Sequence, residues 1–154
     1  MKITNDEILM YSKAEDIQKL WTPLIGDYIG SISDNHGIEY CGLIVGDKAI
    51  KYSYHPFCKS IKEIGILEYY LYDEPEMIKD MFVWLPTQEQ LQKIFLDKYA
   101  WIYLVDDFYS YAGKCIEEWD LGENPSMNIL WLGFIMKEIY NKVWDSKHNE
   151  WIKI

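Results

Sequence analysis

The sequence predicts an α+β fold in which a small antiparallel sheet packs with helices that precede and follow it in the chain. Helix-capping sequences occur near the N-terminus and again after residue 86, and two apolar runs between them flank a hairpin signal at Gly46-Asp47. The chain has the length of one domain with a sizeable core. We therefore expect a single domain that is helical over 1–23, mainly β over 24–85, and mainly helical with a terminal hairpin over 86–154.

Two short helices are predicted at the N-terminus. Thr4-Asn5-Asp6-Glu7 is a capping box, in which the Thr4 hydroxyl and the Glu7 carboxylate each accept from the other residue's backbone N–H. Ser12-Lys13-Ala14-Glu15 repeats the pattern, which predicts helices over about 5–11 and 13–21, ended by Pro23. The side chains expected to face inward are Ile8, Leu9, Ile17, Leu20 and Trp21.

The middle of the chain has the alternation of strands. We expect strands over about 27–32, 38–45, 48–54, 67–72 and 81–85, with the acidic loop Asp73-Glu74-Pro75-Glu76 before the last of them. A two-residue turn at Gly46-Asp47 would place Leu43 opposite Ile50 and Cys41 opposite Tyr52.

Helical sequence resumes after Pro86. Thr87 to Gln90 form a third capping box that starts a helix to about residue 98, with Leu91, Ile94 and Phe95 facing inward. Three-to-four spacing predicts a second helix over 100–119. Its inward positions would be Trp101, Leu104, Val105, Phe108, Ala112, Cys115 and Trp119.

The last helix and the tail complete the predicted fold. Ser126 is a candidate N-cap for a helix to about Asn141, which should be the most buried helix because apolar residues cover most of its circumference. A terminal hairpin with a four-residue loop would place Trp144 opposite Trp151 and Asp145 opposite Glu150.

The net charge of −10 disfavours direct binding of nucleic acid and favours either plain solubility or a basic partner. No apolar run reaches the length of a membrane helix, and the N-terminal residues lack a signal-peptide apolar region. Three widely spaced cysteines suit a reducing compartment. We therefore expect a soluble cytoplasmic protein that does not bind membranes.

Reaction chemistry is weakly indicated. His55 and Cys58 are the nearest approach to a Cys/His nucleophile pair, but a thiolate needs an oriented imidazole at hydrogen-bond distance. His36, His55 and His148 lack the local spacing of zinc ligands, and no phosphate-binding glycine motif occurs. We therefore expect no cofactor, no metal and no enzymatic activity. A small hydrolase that uses His55 with Cys58, or a carboxylate-bound metal, is the enzymatic alternative.

A possible partner-binding surface surrounds the second C-terminal helix. Its acidic residues would serve solubility if they scatter among lysines such as Lys98 and Lys114, or recognition if they share one side with exposed tyrosines. The candidate residues are Asp106, Asp107, Tyr109, Tyr111, Glu117, Glu118, Asp120 and Glu123.

Three groups of residues carry a resemblance to a known family. They are Trp21-Thr22-Pro23 with Gly26-Asp27-Tyr28, the run from Trp84 to Gln92, and the run from Ser126 to Asp145 closed by Trp151. In these strings the chain resembles small proteins of phages and prophages of Firmicutes that have no assigned activity. The resemblance implies a phage context, with the host cytoplasm as the compartment, and no catalytic residues.

These observations together predict a non-enzymatic acidic interaction protein, a phage or prophage accessory factor that binds a basic host protein. A more specific alternative is an anti-defence inhibitor that imitates the charge of nucleic acid and occupies a basic groove.

Overall fold

The computed structural model describes residues 4–24, 26–32, 38–45, 49–51, 67–68, 79–80, 82–97, 99, 101–118, 121 and 125–154. The α+β class is confirmed, since helices accompany one five-stranded and one two-stranded antiparallel sheet. The chain divides into two compact units, Met1–Leu85 and Pro86–Ile154. This division falls at the predicted boundary between the β part and the helical part, and the single domain stays a prediction.

The first unit contains two helices and a five-stranded sheet with the strand order β4-β3-β2-β1-β5. Its elements are α1 (Asn5–Lys13), α2 (Glu15–Gln18), β1 (Tyr28–Ile32), β2 (Ile38–Val45), β3 (Ala49–Lys51), β4 (Leu67–Glu68) and β5 (Val83–Trp84). The second unit contains three helices and a terminal hairpin. Its elements are α3 (Gln88–Leu96), α4 (Trp101–Glu118), α5 (Met127–Tyr140), β6 (Lys142–Asp145) and β7 (Glu150–Lys153).

The first N-terminal capping box forms and the second does not. Thr4 Oγ1 accepts from the Glu7 N–H at 3.2 Å, and Glu7 Oε2 accepts from the Thr4 N–H at 2.7 Å. Ser12 instead lies inside α1, where its hydroxyl donates to the Leu9 carbonyl at 2.8 Å. Because α1 continues to Lys13, the second helix shrinks to one turn without a side-chain cap, and the predicted inward position of Leu20 is wrong, as this residue is exposed.

A buried carboxylate shapes the turn between α2 and β1. Asp27 Oδ2 accepts from the Trp21 indole Nε1 at 2.9 Å and from the Leu24 backbone N–H at 2.9 Å. Gly26 has a φ of 97°, a left-handed conformation that glycine adopts without a steric penalty. Trp21 then lies parallel to Trp84 of β5, with ring centroids 6.3 Å apart.

The Gln18 side chain covers the outer edge of β5. Its Oε1 accepts from the Trp84 N–H at 2.9 Å, and its Nε2 donates to the Trp84 carbonyl at 3.0 Å and to the Tyr11 carbonyl at 3.1 Å. The inner edge of β5 pairs with β1, as in the bond from the Leu85 N–H to the Tyr28 carbonyl. A single amide thus takes the place of a neighbouring strand and protects an edge that would otherwise offer unpaired backbone groups.

The pairing of β2 with β3 differs from the prediction by one residue. Val45 opposes Ala49 and Ile44 opposes Ile50, so three residues separate the paired ends instead of two. The observed register therefore pairs Ile44 with Ile50, where the prediction paired Leu43 with Ile50. Tyr52, the predicted partner of Cys41, and the loop at residues 73–76 lie outside the described residues.

The core of the second unit is aromatic and lies around Phe134 of α5. Phe95 of α3, Tyr111 of α4 and Trp131 of α5 place ring centroids 5.1, 5.5 and 5.7 Å from the Phe134 ring. Helix α5 begins after Ser126, whose hydroxyl accepts from the Ile129 N–H, and ends at the left-handed Asn141. As predicted, α5 has the longest buried run of the described helices.

The terminal hairpin has the predicted register. Trp144 opposes Trp151 with ring centroids 5.3 Å apart at 63°, and Asp145 opposes Glu150. Bonds join the Ile154 N–H to the Asn141 carbonyl and the Asn141 side-chain amide to the Ile154 carbonyl. Because hydrogen-bonded pairs alternate along an antiparallel ladder, the two tryptophans form a non-hydrogen-bonded pair, in which side chains come closest.

Removing the edge amide should destabilise the first unit. Gln18→Ala should lower the free energy of unfolding by about 1–3 kcal/mol, since it removes partners from the backbone groups of Tyr11 and Trp84. Gln18→Glu should cost at least as much at neutral pH, because carboxylate oxygens would face two carbonyls. Urea unfolding measures both, with the exposed Lys19→Ala as the control, expected within about 0.5 kcal/mol of wild type. Wild-type stability of Gln18→Glu would contradict this role.

Truncating the central indole should destabilise the second unit. Trp131 is 4% exposed, and Trp131→Ala should cost about 3–5 kcal/mol. Trp131→Phe should cost much less, because it keeps an aromatic ring and removes an indole N–H that has no partner among the described residues. Urea unfolding tests this, with Met127→Ala on the exposed side of the same helix as control. A cost below about 1 kcal/mol for Trp131→Ala would show that this core is not essential.

Candidate functional site

Helix α4 is held in the second unit by one face. Leu104 and Tyr111 are buried, and Phe108 between them lies flat on the Trp131 ring, with centroids 3.8 Å apart and planes 4° from parallel. At Gly133 of α5, an added Cβ would clash with the Tyr111 hydroxyl, so α4 and α5 approach closely there. These contacts fix the rotation of α4 about its own axis.

The opposite side of α4 is exposed and combines apolar with acidic side chains. Tyr103 is 64% exposed, Val105 60% and Tyr109 80%, and both Asp106 and Asp107 are exposed. These five residues form what we call the α4 outer face. Residues three and four apart on a helix have Cβ atoms about 5–6 Å from each other. Asp106 is therefore a helical neighbour of both Tyr103 and Tyr109, and Asp107 is a neighbour of Tyr103.

The structure shows which of the predicted binding residues are exposed. Asp106, Asp107 and Tyr109 lie on the α4 outer face, whereas the prediction of Tyr111 as an exposed anchor is wrong, because this residue is 4% exposed and packs on Phe134. Glu117 and Glu118 are the last two residues of α4. Asp120 and Glu123 lie outside the described residues.

Sequence reasoning missed part of the face. The prediction that Val105 points inward is wrong, since the neighbouring Leu104 occupies the buried side and successive helical residues diverge by about 100°. Tyr103 was not selected, although its place three residues before Asp106 puts both on one side of a helix. A helical projection centred on the buried Leu104 and Tyr111 places both residues outside the buried face.

The charge of the α4 outer face is not neutralised within the described part of the chain. No hydrogen bond or ion pair between described residues engages the carboxylates of Asp106 or Asp107. Lys114 is also exposed on this helix, two turns beyond Asp107. Asp106 and Asp107 thus lie beside tyrosines, which is the arrangement expected of a recognition surface. Lys114 follows further along the helix, which is the arrangement expected of a surface that serves solubility. Lys98 lies outside the described residues.

Of the three histidines, the structure describes His148. Its ring Nδ1 lies 2.7 Å from Asp145 Oδ2, and Asp145 Oδ1 accepts from the backbone N–H groups of Lys147 and His148. These bonds organise the turn of the terminal hairpin. His36, His55 and Cys58 lie outside the described residues, so a hydrolase based on His55 and Cys58 stays a prediction.

Metal-binding clusters and membrane-spanning helices are both absent from the described segments. No group of three or more His, Cys, Asp or Glu side chains there is arranged to hold a metal ion. No helix among these residues is both long and apolar enough to cross a membrane. The α4 outer face is therefore the candidate site in the described part of the molecule.

Comparison with known proteins gives no relative. No family model matches the sequence, and neither a curated protein nor a solved structure matches it. The likeness to phage and prophage proteins thus stays a prediction, and the argument for function rests on the geometry of the α4 outer face.

The His148–Asp145 pair should make the hairpin pH-dependent. The side-chain hydrogen bond with Asp145 raises the pKa of His148 above its ordinary 6.5, and the negative charge of Asp145 is the second cause. The same hydrogen bond lowers the pKa of the Asp145 carboxyl below 3.8. The stabilisation by His148 is therefore complete below pH 6.5 and is lost as pH rises through the pKa of His148 in the folded protein. The stabilisation by Asp145 is complete above pH 3.8 and is lost as pH falls through the pKa of Asp145 in the folded protein.

Proton NMR of the imidazole measures this pKa directly. We expect His148 to titrate above 6.5 in the wild type and closer to 6.5 in Asp145→Asn. The difference in Tm between wild type and His148→Gln should be largest between pH 4 and 6 and should shrink above the folded pKa. A wild-type pKa at or below 6.5 would contradict the ion pair.

Proposed function

We propose that this chain is a non-enzymatic acidic interaction protein that binds a basic protein through the α4 outer face. In the phage context suggested by its sequence strings, it would be an accessory factor and its partner a protein of the host. The observation that carries the proposal is the exposure of Tyr103, Val105 and Tyr109 on a helix that is fixed in an aromatic core by its buried face.

Tyrosine rings suit this role for a physical reason. A tyrosine buries a large, rigid and partly polar surface while losing the freedom of few torsions, which is why tyrosine is enriched at interface hot spots. Single exposed apolar residues are ordinary, but Val105 and Tyr109 are four residues apart and are therefore neighbours on the helix surface. Tyr103 adjoins them through Asp106, which lies three residues from each tyrosine. The backbone of α4 is already ordered by its core contacts, so binding would cost little conformational entropy.

The charge of the chain selects the class of partner. A net charge of −10 repels nucleic acid and attracts basic surfaces, which raises association rates at low ionic strength. Asp106 and Asp107 would bring this attraction to the patch itself. The partner is therefore expected to present positive charge around an apolar contact.

Charge mimicry of nucleic acid is a second candidate function, favoured by the same net charge. An inhibitor of this kind would occupy the basic groove of a nucleic-acid-binding defence protein with its carboxylates. The tyrosines would then be dispensable, because backbone phosphates are recognised mainly through charge. The two functions therefore differ in their dependence on Tyr103 and Tyr109.

Capture by matched variants tests the proposal. The immobilised protein, Tyr103→Ala/Tyr109→Ala and Asp106→Asn/Asp107→Asn are each incubated with lysate of a Firmicutes host, and bound proteins are identified by mass spectrometry. We expect the wild type to retain a basic protein that both double variants lose. With the purified partner, Asp106→Asn/Asp107→Asn should slow association about tenfold at low salt and less at high salt.

Two control variants keep the test specific. Asp97→Asn/Glu150→Gln removes the same charge from exposed positions outside α4, and Tyr28→Ala removes an exposed tyrosine of the first unit. Both should retain the partner. Retention by Tyr103→Ala/Tyr109→Ala with loss by the aspartate variant would favour mimicry. Equal retention by every variant would exclude the α4 outer face as the binding site.

A further inference from the structure

We infer that the α4 outer face recognises arginine, so that the docking segment of the partner presents guanidinium groups rather than ammonium groups to Tyr103, Asp106 and Tyr109. This inference rests on the proposed function and specifies its partner. It follows from the order of aromatic and acidic side chains along the exposed side of α4.

The spacing places one carboxylate between two rings. Tyr103, Asp106 and Tyr109 occupy positions i, i+3 and i+6, so each step advances about 4.5 Å along the helix axis. Both rings are exposed by more than half, and within the described chain the Asp106 carboxylate has neither a hydrogen bond nor an ion pair. A cation bound at Asp106 would therefore have a tyrosine ring within reach on either side along the helix.

A guanidinium group satisfies this arrangement better than an ammonium group. It is planar and weakly hydrated, so it can pair through N–H groups in its plane with a carboxylate while its face stacks on an aromatic ring. Lysine carries a compact, strongly hydrated charge and gains less from the ring. Val105, four residues before Tyr109, adds apolar surface for the methylene stem of an arginine.

The remaining charges on the helix limit where the cation binds. Asp107 lies four residues after Tyr103 and provides a second carboxylate for a neighbouring cation. Lys114 is exposed two turns further along and would repel a cation there. A cation is thus expected at residues 103–109 rather than beside Lys114.

A second copy of the chain does not fit this surface. A two-fold symmetric contact brings the same patch of both subunits together. That contact would bring the Asp106 and Asp107 carboxylates of both copies into one interface, residues 103–109 contain no basic residue to offset them, and each copy carries a net charge of −10. A different, arginine-bearing protein is the occupant that the charge allows.

Two peptides of equal charge test the inference with the full chain. The probes are an acetylated and amidated peptide with four arginines alternating with alanine, and its lysine counterpart. NMR titration of the nitrogen-15-labelled protein gives both the site and the affinity. We expect the backbone amide signals of residues 103–109 to change chemical shift. The arginine peptide should bind about two- to fivefold tighter than the lysine peptide for each guanidinium that stacks on a ring.

Variants separate stacking from charge. Tyr103→Leu/Tyr109→Leu should remove the preference for arginine, whereas Tyr103→Phe/Tyr109→Phe should keep it because the ring faces remain. Asp106→Asn/Asp107→Asn should weaken both peptides, and Tyr28→Leu should change neither. The variant spectra report at the same time whether the fold is intact.

The other outcomes overturn the inference. Equal affinity of the two peptides at residues 103–109 would show a site for positive charge without arginine selectivity, and the proposed function would stand. Shifts confined to other residues, or no shifts, would also exclude arginine recognition at this face. Loss of the captured host partner in Tyr103→Ala/Tyr109→Ala would even then support the proposed function, so the two failures are distinguishable.

Discussion

The flat contact between Phe108 and Trp131 is the interaction on which the candidate site depends. It joins α4 to the aromatic core around Phe134 and, with buried Leu104 and Tyr111, leaves one orientation of α4 about its axis. Rings packed face to edge and face to face resist rotation more than aliphatic contacts do, because their geometry is directional. The exposure of Tyr103 and Tyr109 is thus a consequence of core packing, and the proposed partner would meet a surface that is already formed.

The strings on which the predicted likeness to phage proteins rests have structural roles in both units. Asp27 bonds to Trp21 and fixes the turn at Gly26, Thr87 caps α3, and Ser126 caps α5. These residues set the ends of elements and the contacts of buried tryptophans. A shared pattern of this kind indicates a shared fold, whereas Tyr103, Val105 and Tyr109 lie outside these strings. The residues proposed for recognition are therefore distinct from those that set the ends of these elements.

Local signals predicted local structure well. The capping boxes at Thr4 and Thr87, the N-cap at Ser126 and the pairing of Trp144 with Trp151 were predicted because each depends on residues close in sequence. The sealing of β5 by Gln18 joins residues far apart in the chain and has no sequence signature. The pairing of Ile44 with Ile50 differs from the predicted register by one residue, because a Gly-Asp signal marks a hairpin without fixing the number of residues in its loop.

The site was only half predicted, and the reason is physical. The acidic residues near Asp106 are evident from composition. Which tyrosines of α4 are exposed depends on the rotation of the helix about its axis, and long-range contacts with Trp131 and Phe134 determine that rotation. Apolar residues on α4 exceed what its buried face uses, so the pattern alone assigned Val105 to the core and Tyr111 to the surface. A helix with more apolar residues than its buried face holds has two apolar surfaces, one packed in the core and one exposed. In α4 the first holds the helix in the fold, and the second, bordered by carboxylates, is the part that a basic partner can cover.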